Sequence, residues 1–598
     1  MMTVDVLFPL ALPLNLSYRI PEEAGASVVV GSFVRAPVGK RTFLGVVVAI
    51  HPGSSNGSND SNSSNSATDK SAKSSAYKFI TSVEAHLIPV APKRIELWRW
   101  ISEYYLCTPG EVMKASILSK PPKQPTPEAN PKVAIASGAL PSFQGQILSE
   151  GVTLLRGACE KTELYINMLH HVLLSGKNVL LLTPEIGSGE QRYLRLKELI
   201  PHPIFLLHSR QTPAQRQKTI QIVAQQREST FVIGMRSALL LLDMQHFGLI
   251  VIEDEHDFSY KQIDPAPRFH ARDLAVFIGR HYRIPVILSS PCPSLESEYN
   301  VRTEKYRTLS LDEPTMGKPI IEIIDTLRLR KKKQMSGSFS HLLLDALEQG
   351  MALGKQALFF THRCAQLQEE LLALRPAIHT ARLDESHSSS ALQQTISQFK
   401  NREIDVLLGT HTVYSAIDWG NIGLVALFDA DKQLSRSDFR AYERAYQTLM
   451  TLLGNLGSSL SGTPPRIIVQ TEQPDQPFYR HLELGDSENF VLEQLRERKE
   501  YHYPPFTRLV ALRFKHRSSE IAHTTAQQFA AELAQTGLTH ISGPFSSSYA
   551  SNTKLHTQLI WLHLPRQADV PALKKNLCQK IGAYPFPKGI IQIDVDPY

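Results

Sequence analysis

LLRGACEKTELY, residues Leu154–Tyr165, is the stretch that decides the fold class. Its apolar run ends at Gly157, a short polar segment follows, and apolar residues at helical spacing come after Lys161-Thr162. A buried strand, a loop and a helix in this order are typical of a phosphate-binding loop in an α/β domain. In such a loop, backbone N–H groups surround the phosphates and the lysine reaches the outer ones.

The loop departs from the pattern G-x-x-x-x-G-K-[ST] in two ways. Gly157 lies four residues before Lys161 instead of six, and Glu160 stands where the second glycine is required. The shortened arc loses N–H donors, and Glu160 adds a negative charge beside the phosphates. The candidate phosphate-binding residues are therefore Gly157, Lys161 and Thr162, and they indicate either a degenerate nucleotide site or no such site.

Strand and helix patterns alternate after this loop. Apolar runs of the buried, parallel-strand type are separated by helical patterns, first in one series and then in a second. These runs are Asn178–Thr183, Ile204–Leu207, Thr230–Ile233, Leu249–Glu253, Pro285–Ser289, Ala357–Phe360, Ile404–Leu408, Leu424–Phe428 and Arg466–Gln470. The pattern predicts two successive α/β units, residues 136–310 and 311–485.

The segments on either side of the α/β units have other patterns. Residues 1–118 carry short β-type runs and one helix, 93–106, and their polar segment 53–75 is predicted to be a disordered loop. A Pro-rich linker is predicted over 119–135. Residues 486–598 combine a long helix with strands, which predicts an α+β unit. The β-type runs of the first unit are Val4–Phe8, Ser27–Val30, Phe33–Arg35 and Leu44–Ile50.

The composition excludes several classes of protein. A chain of 598 residues is too long for one core, and 42% hydrophobic with 20% charged residues is ordinary for a soluble globular protein. The five cysteines form no C-x-x-C pair, so neither a zinc site nor a disulfide framework is predicted. Because no apolar run reaches the roughly 18–20 residues of a membrane span, we expect a cytoplasmic protein without a membrane partner. The net charge of +7 permits a polyanionic partner.

Glu253-Asp254-Glu255-His256 follows an apolar strand pattern. Carboxylates at the carboxyl end of a strand in an α/β sheet lie in the ligand crevice. Beside a phosphate loop, Glu253 would hold Mg²⁺ through water and Asp254 would orient the attacking water. These two residues are the candidate catalytic carboxylates, and the alternative is a solvated acidic loop.

Aromatic and basic side chains interleave in the two segments that come next, residues 256–262 and 267–273. Aromatic rings beside ammonium and guanidinium groups suit single-stranded nucleic acid, whose bases stack and whose phosphates attract cations. The candidate DNA-binding residues of this loop are Phe258, Tyr260, Lys261, Arg268, Phe269, His270 and Arg272.

The chain resembles the PriA family, bacterial replication-restart DNA helicases of superfamily 2, nearly from end to end. Besides the loop just described, the segments that carry the resemblance are Thr183–Ile186, Gly234–Ala238, Ser289–Ser297, Gly409–His411, Asp429–Asp431, Asp438–Arg444, Tyr503–Phe506 and Ile593–Pro597. The resemblance implies an α/β fold with two RecA-like helicase lobes, an N-terminal β-rich DNA-binding domain and an α+β C-terminal domain. It also implies 3′-DNA-end contacts at Ser17, Tyr18, Gly39, Lys40 and Lys78. Ser17 replaces the family's aspartate, so a charged acceptor is lost there.

The departures from the family fall on the ATPase machinery. The first two carboxylates of the family's D-E-E-H are exchanged, and Cys292 replaces the threonine of its A-T-P turn. Asn455 and Ser458 stand at the two arginines of the closing signature. An arginine finger supplies about 10³–10⁵ in rate, and neither replacement carries a charge. The family's paired cysteines are reduced to Cys364, so zinc is not expected, and ATP with Mg²⁺ is doubtful.

The sequence therefore predicts a replication-restart protein that binds stalled or branched forks, single strands and 3′ ends. Its ATPase and unwinding activities are predicted to be lost or severely reduced. Other primosome proteins and the replicative helicase or its loader are the expected partners, in the nucleoid. The alternatives are an active ATP-dependent 3′→5′ DNA helicase and a non-catalytic primosome scaffold. The basic run Arg328–Lys333 is either a solvated loop or a phosphate contact.

Overall fold

The computed structural model describes residues 2–12, 15–21, 27–51, 77–118, 148–157, 162–200, 202–225, 228–311, 319–383, 389–410, 417, 419–428, 430–434, 438–457, 464–535, 540–546, 555–566 and 570–598. The predicted disordered loop 53–75 and the linker 119–135 lie outside them. So do five residues that the sequence analysis names: Glu160, Lys161, His411, Asp429 and Ser458. The side chain of Thr162 is also outside this description.

The N-terminal unit is an antiparallel sheet followed by two helices. The sheet has the order β2-β1-β4-β3-β5, and Pro92 and the Thr108–Glu111 capping box begin the helices. The predicted strand Ser27–Val30 is instead irregular chain that turns at Gly31, whose φ is +98°. The elements are β1 Thr3–Leu7, β2 Leu16–Arg19, β3 Phe33–Val38, β4 Arg41–His51, β5 Ser82–Val83, α1 Pro92–Tyr105 and α2 Pro109–Ser116.

Lobe one is a seven-stranded parallel sheet with the order β12-β6-β11-β10-β7-β9-β8. Its central strands are buried on both faces, which explains the unbroken apolar runs in the sequence. Its strands are β6 Val152–Arg156, β7 Asn178–Leu182, β8 Ile204–Leu207, β9 Phe231–Gly234, β10 Phe247–Glu253, β11 Val286–Ser290 and β12 Arg307–Ser310. Its helices are α3 Thr162–Leu174, α4 Ile186–Lys197, α5 Pro213–Gln225, α6 Ala238–Leu241, α7 Ala271–Tyr282 and α8 Leu295–Arg302.

Lobe two is a six-stranded parallel sheet with the order β13-β20-β19-β16-β18-β17, beside a small hairpin, β14-β15. Its strands are β13 Ile320–Asp325, β14 Met335–Ser336, β15 Phe339–Ser340, β16 Gln356–Phe360, β17 Thr380–Leu383, β18 Val406–Gly409, β19 Ile422–Leu427 and β20 Arg466–Thr471. Its helices are α9 Thr326–Lys331, α10 His341–Ala352, α11 Cys364–Leu374, α12 Ser389–Lys400, α13 Ala430–Leu434, α14 Ala441–Gly457 and α15 Pro477–Leu484.

The C-terminal unit begins with a helix that contacts lobe one, and it then forms an antiparallel sheet with the order β22-β23-β21-β24. Its elements are α16 Ser487–Glu500, β21 Thr507–His516, α17 Ser519–Ala534, β22 Ile541–Ser546, β23 His556–Pro565, α18 Val570–Ala583 and β24 Ile590–Val595. One apolar core joins this sheet to lobe one and to α1, with Val510, Leu274 and Trp98 among its members. The predicted fold class, two α/β lobes between a β-rich and an α+β unit, is confirmed.

Candidate nucleotide cleft and DNA-facing surfaces

The candidate phosphate loop begins at the carboxyl edge of the lobe-one sheet. Gly157 directly follows β6, has a φ of +127°, and donates its N–H to the carbonyl oxygen of Ser290 at 3.2 Å. This N–H group is therefore already used within the protein. Thr162 begins α3, as the sequence pattern predicts for the residue after the loop lysine.

The first candidate carboxylate, Glu253, is the last residue of β10 and is buried. The carboxylate oxygen Oε1 of Glu253 forms an ion pair with Nη2 of Arg192 on α4 at 2.8 Å. The next residue, Asp254, has the left-handed φ of +48°, which turns the chain away from the strand. The position where a Mg²⁺ ligand is predicted thus already has a protein cation as its partner.

The turn after β11 carries Cys292, the residue that replaces the family's threonine. Cys292 is buried, and burial followed by the nearby carboxylates of Glu443, Glu298 and Glu255 raises the pKa of its thiol well above the ordinary value. A neutral thiol is a weak hydrogen-bonding group. Among the described residues, no group of three or more His, Cys, Asp and Glu is placed to hold a metal ion. Two groups that a magnesium nucleotide would use, the Glu253 carboxylate and the N–H of Gly157, thus have protein partners in this structure.

Glu255, two residues beyond Glu253, faces the boundary with lobe two and is fully buried. Its carboxylate accepts hydrogen bonds from the backbone N–H of Ser294 at 2.7 Å and from Nη1 of Arg272 at 3.2 Å. The Glu255 carboxylate therefore fixes the first residues before α8. The sequence alone indicates only that Glu255 belongs to an acidic loop.

Lobe two meets α8 through the DFRAYER segment, Asp438–Arg444, whose last four residues begin α14. Glu443, on α14, accepts a hydrogen bond from the backbone N–H of Leu295 at 2.8 Å. Glu296, on α8, forms ion pairs with Arg440 at 2.7 Å and with Arg498 of α16 at 3.3 Å. Arg498 also pairs with Glu443 at 2.5 Å, so charges from both lobes and from α16 meet at one place.

We call six residues, five of them buried and Glu296 mostly buried, the junction cluster: Glu255, Arg272, Glu296, Arg440, Glu443 and Arg498. It holds three carboxylates and three guanidinium groups, so its formal charges balance. Burial acts to raise the pKa of Glu296, but Arg440, Arg498 and Arg272 outweigh burial and hold that pKa below its usual range. The ion pairs of the cluster join lobe one, lobe two and α16 directly.

The closing signature of lobe two lies against the same boundary. This signature corresponds to residues 451–458 of the sequence. Oγ1 of its first residue, Thr451, lies 3.4 Å from Nε2 of His256 in lobe one. The other ring nitrogen of His256, Nδ1, lies 2.7 Å from Oγ of Ser290. Asn455, at the first lost arginine, is half-buried on α14, and Ser458 lies outside the described residues.

The aromatic and basic loop differs from the exposed DNA surface that the sequence predicts. Tyr260, Phe269 and His270 are buried, with exposed fractions of 1%, 0% and 2%. The ammonium group of Lys261 pairs with Asp594 of β24 at 2.8 Å. The Tyr260 hydroxyl donates to carbonyl oxygens of lobe one, at Leu182 and Glu253, and His270 lies against Tyr598 of the C-terminal unit. In this structure these side chains therefore contact protein and are closed to a base.

The remaining residues of this loop divide between protein contacts and solvent. Arg272 belongs to the junction cluster, and Arg268 is mostly buried between Asp264, at 3.0 Å, and the carbonyl oxygen of Ile593. Phe258 is different because 59% of the residue is exposed. Among the candidate aromatic residues of this loop, it alone offers an open ring.

The N-terminal unit presents its candidate residues at one rim of the sheet. Gly39, with φ of +61°, and Lys40 form the exposed β3–β4 turn, and Lys78 is also exposed. Tyr18 is buried, and its hydroxyl group donates to the carbonyl oxygen of Pro37, in the strand leading to that turn, at 2.9 Å.

Beside these residues lies a carboxylate, Asp5, that is not among the residues predicted from the sequence. Asp5 lies opposite Ser17 in the β1–β2 ladder, and its Oδ1 accepts a hydrogen bond from Oγ of Ser17 at 2.7 Å. Its other oxygen lies 2.9 Å from Nε2 of His51. The polar residue in the pattern Val4-Asp5-Val6 was the available signal, because alternation aims Asp5 away from the core.

Three family models match parts of the chain. They are the 3′DNA-binding domain (3′BD) at residues 5–117, the helicase conserved C-terminal domain at 340–447, and the primosomal protein N C-terminal domain at 499–598.

Similar proteins named Replication restart protein PriA extend the match over most of the chain. The one from Rickettsia prowazekii (strain Madrid E) is 27% identical, over 88% of this chain and 92% of the relative. The one from Treponema pallidum (strain Nichols) is 25% identical, over 99% of both chains. The chain belongs to the PriA family of replication restart proteins, with a 3′ DNA-binding domain and a helicase fold.

Proposed function

We propose that this protein binds branched DNA at stalled replication forks and supports restart without nucleotide-driven unwinding. The ion pair between Arg192 and Glu253 carries the second half of the proposal, because it occupies the carboxylate that Mg²⁺ would need. The junction cluster supports it further, since protein charges instead of phosphates hold the two lobes together. The domain match at residues 5–117 supports the DNA-binding half.

The rim of the N-terminal unit is the proposed contact for a 3′ end. Lys40 and Lys78 are exposed and offer cations to phosphates, while Gly39 leaves space for close approach at the turn. Asp5, through its hydrogen bond with Ser17, supplies a carboxylate beside the position where the family carries an aspartate. We assign Asp5 and Ser17 together to the polar contact with the terminal nucleotide.

The proposed partners are other primosome proteins and the replicative helicase or its loader, at forks in the cytoplasmic nucleoid. Residues 499–598 match the primosomal C-terminal domain, which supports a place in such an assembly. The specific partners are testable by pull-down with the full-length chain. Among the described residues, no helix is long and apolar enough to cross a membrane.

A two-step experiment tests the proposal with the full-length protein. Gel shift with a forked DNA that carries a 3′ end should show binding, and ATP turnover with the same fork should stay at background. A turnover of about 1 s⁻¹, within the usual range of enzymes, would support an active helicase instead. Absence of both fork binding and ATP turnover would favour a scaffold that acts only through protein contacts.

A further inference from the structure

The run RLRKKK, residues Arg328–Lys333, forms an exposed basic ridge on lobe two. Its five cationic residues are all exposed, and Arg330 alone has a recorded ion pair, with Glu472 at 2.7 Å. For Arg328, Lys331, Lys332 and Lys333, the described part of the chain offers no carboxylate within ion-pair distance. The ridge therefore presents a concentrated and largely uncompensated positive charge to solvent.

The ridge has a fixed backbone. Asp325 caps α9 by accepting the N–H of Arg328 at 2.8 Å. After the helix, the N–H of Lys332 donates to the carbonyl oxygen of Arg328 at 3.1 Å, and the N–H of Gln334 donates to Leu329 at 2.9 Å. A structured helix end holds these cations close together, so less entropy is lost when they bind a regular array of charges.

The topology of lobe two places the ridge at a functional edge of the sheet. β13 pairs in parallel with β20, and α9 directly follows the carboxyl end of β13 at Asp325. The ion pair from Arg330 to Glu472 ties the ridge to the carboxyl end of β20. Ligands of open parallel sheets bind outside the carboxyl ends of the strands.

We infer that the basic ridge is a second DNA contact, which binds the phosphate backbone of a duplex arm of the fork. The inference rests on the proposed fork binding. Cations on a rigid turn suit phosphates, and residues 326–334 contain no aromatic side chain that would stack with unpaired bases. Duplex phosphates are therefore the polyanion that fits the ridge, without sequence preference.

A matched pair of double variants of the full-length protein tests this inference. Lys331→Gln/Lys332→Gln removes two charges from the ridge. Lys400→Gln/Arg402→Gln removes two exposed charges from the turn before β18, at the amino edge of the same sheet. Fork affinity is measured by titration over a fourfold range of salt, with a duplex-armed fork and a single-stranded oligonucleotide as ligands.

The ridge variant should lower the slope of log affinity against log salt by about 2 for the duplex-armed fork, because two phosphate contacts are lost. The ratio of wild-type to variant affinity for the duplex-armed fork should therefore fall about tenfold from the lowest to the highest salt concentration. The control variant should keep the wild-type slope, and both variants should melt at the wild-type temperature because all four residues are exposed.

Three outcomes overturn the inference. Equal slopes for the wild type and the ridge variant would remove the ridge as a DNA contact, and equal losses in both variants would indicate a general field effect. A ridge variant that binds the fork normally but loses binding to polyglutamate would identify an acidic protein partner. If the wild type itself fails to bind the fork, the proposed function fails first, and that result is distinct from the other three.

Discussion

The junction cluster and the exposed rim of the N-terminal unit use similar side chains for opposite purposes. At the junction, Arg440 and Arg498 are buried and satisfied by carboxylates from another part of the same chain. At the rim, Lys40 and Lys78 face solvent. The difference teaches that a basic residue in a DNA-binding protein indicates a DNA contact only where the fold leaves it accessible.

Removing one charge from the junction cluster should lower the free energy of unfolding more than any other change predicted here. Glu443→Gln leaves Arg440 and Arg498 buried with one carboxylate fewer, and losing one partner of a buried ion pair costs about 3–5 kcal/mol. Urea unfolding should therefore shift to lower concentration. The control is Glu488→Gln, because the Glu488 carboxylate pairs with Arg302 at an exposed site and its loss should cost less than about 1 kcal/mol. Equal shifts in the two variants would contradict the structural role of the cluster.

The buried histidine next to the junction cluster, His270, should make the stability of the protein sensitive to acid. Burial, then the positive charges of Arg272, Lys261 and Arg440, lower the pKa of His270 well below its ordinary value. The unfolded chain therefore binds a proton at this residue more readily than the folded protein. The stability from neutral His270 is present above a pH of about 6.5 and is lost as the pH falls further, at up to about 1.4 kcal/mol per pH unit.

The measurement is the unfolding free energy of the wild type and of His270→Gln as the pH is lowered from about 7.5 to about 5.5, across the ordinary pKa of histidine. The wild type should lose more stability than the variant over this range. His523→Gln, at an exposed position on α17, is the control and should follow the wild type. Parallel curves for the wild type and His270→Gln would show that His270 does not contribute.

Changing an exposed side chain should have a smaller effect, on DNA affinity and not on stability. Phe258→Ala removes an open ring, and stacking of one base on an aromatic side chain contributes about 1–3 kcal/mol. Affinity for a single-stranded oligonucleotide should fall about tenfold or more, while stability stays unchanged. Ile263→Ala serves as the control, because Ile263 is exposed to the same degree, 60%, but has no aromatic face. Equal affinities for the two variants would exclude Phe258 as a stacking contact.

The strands were predicted more accurately from the sequence than the surroundings of the candidate DNA-binding residues. Strands such as Asn178–Thr183 were found within one or two residues, because a strand buried on both faces needs an unbroken apolar run. The loop around Tyr260 was predicted to be exposed, since aromatic and basic residues alternate there. Its covering strand, β24, lies more than 300 residues later in the chain, and no local pattern reports such a distant partner.

The fold class, the family and the loss of the standard phosphate-loop pattern follow from the amino-acid sequence, because hydrophobic periodicity and motif spacing are local properties of the chain. Which charged side chains are paired within the protein is seen only in the three-dimensional structure. Long-range packing brings these partners together. It pairs Glu253 with Arg192, places Glu255 and Glu296 in the junction cluster, and sets Asp5 beside Ser17. Burial makes an unpaired charge so costly that the fold itself selects these partners.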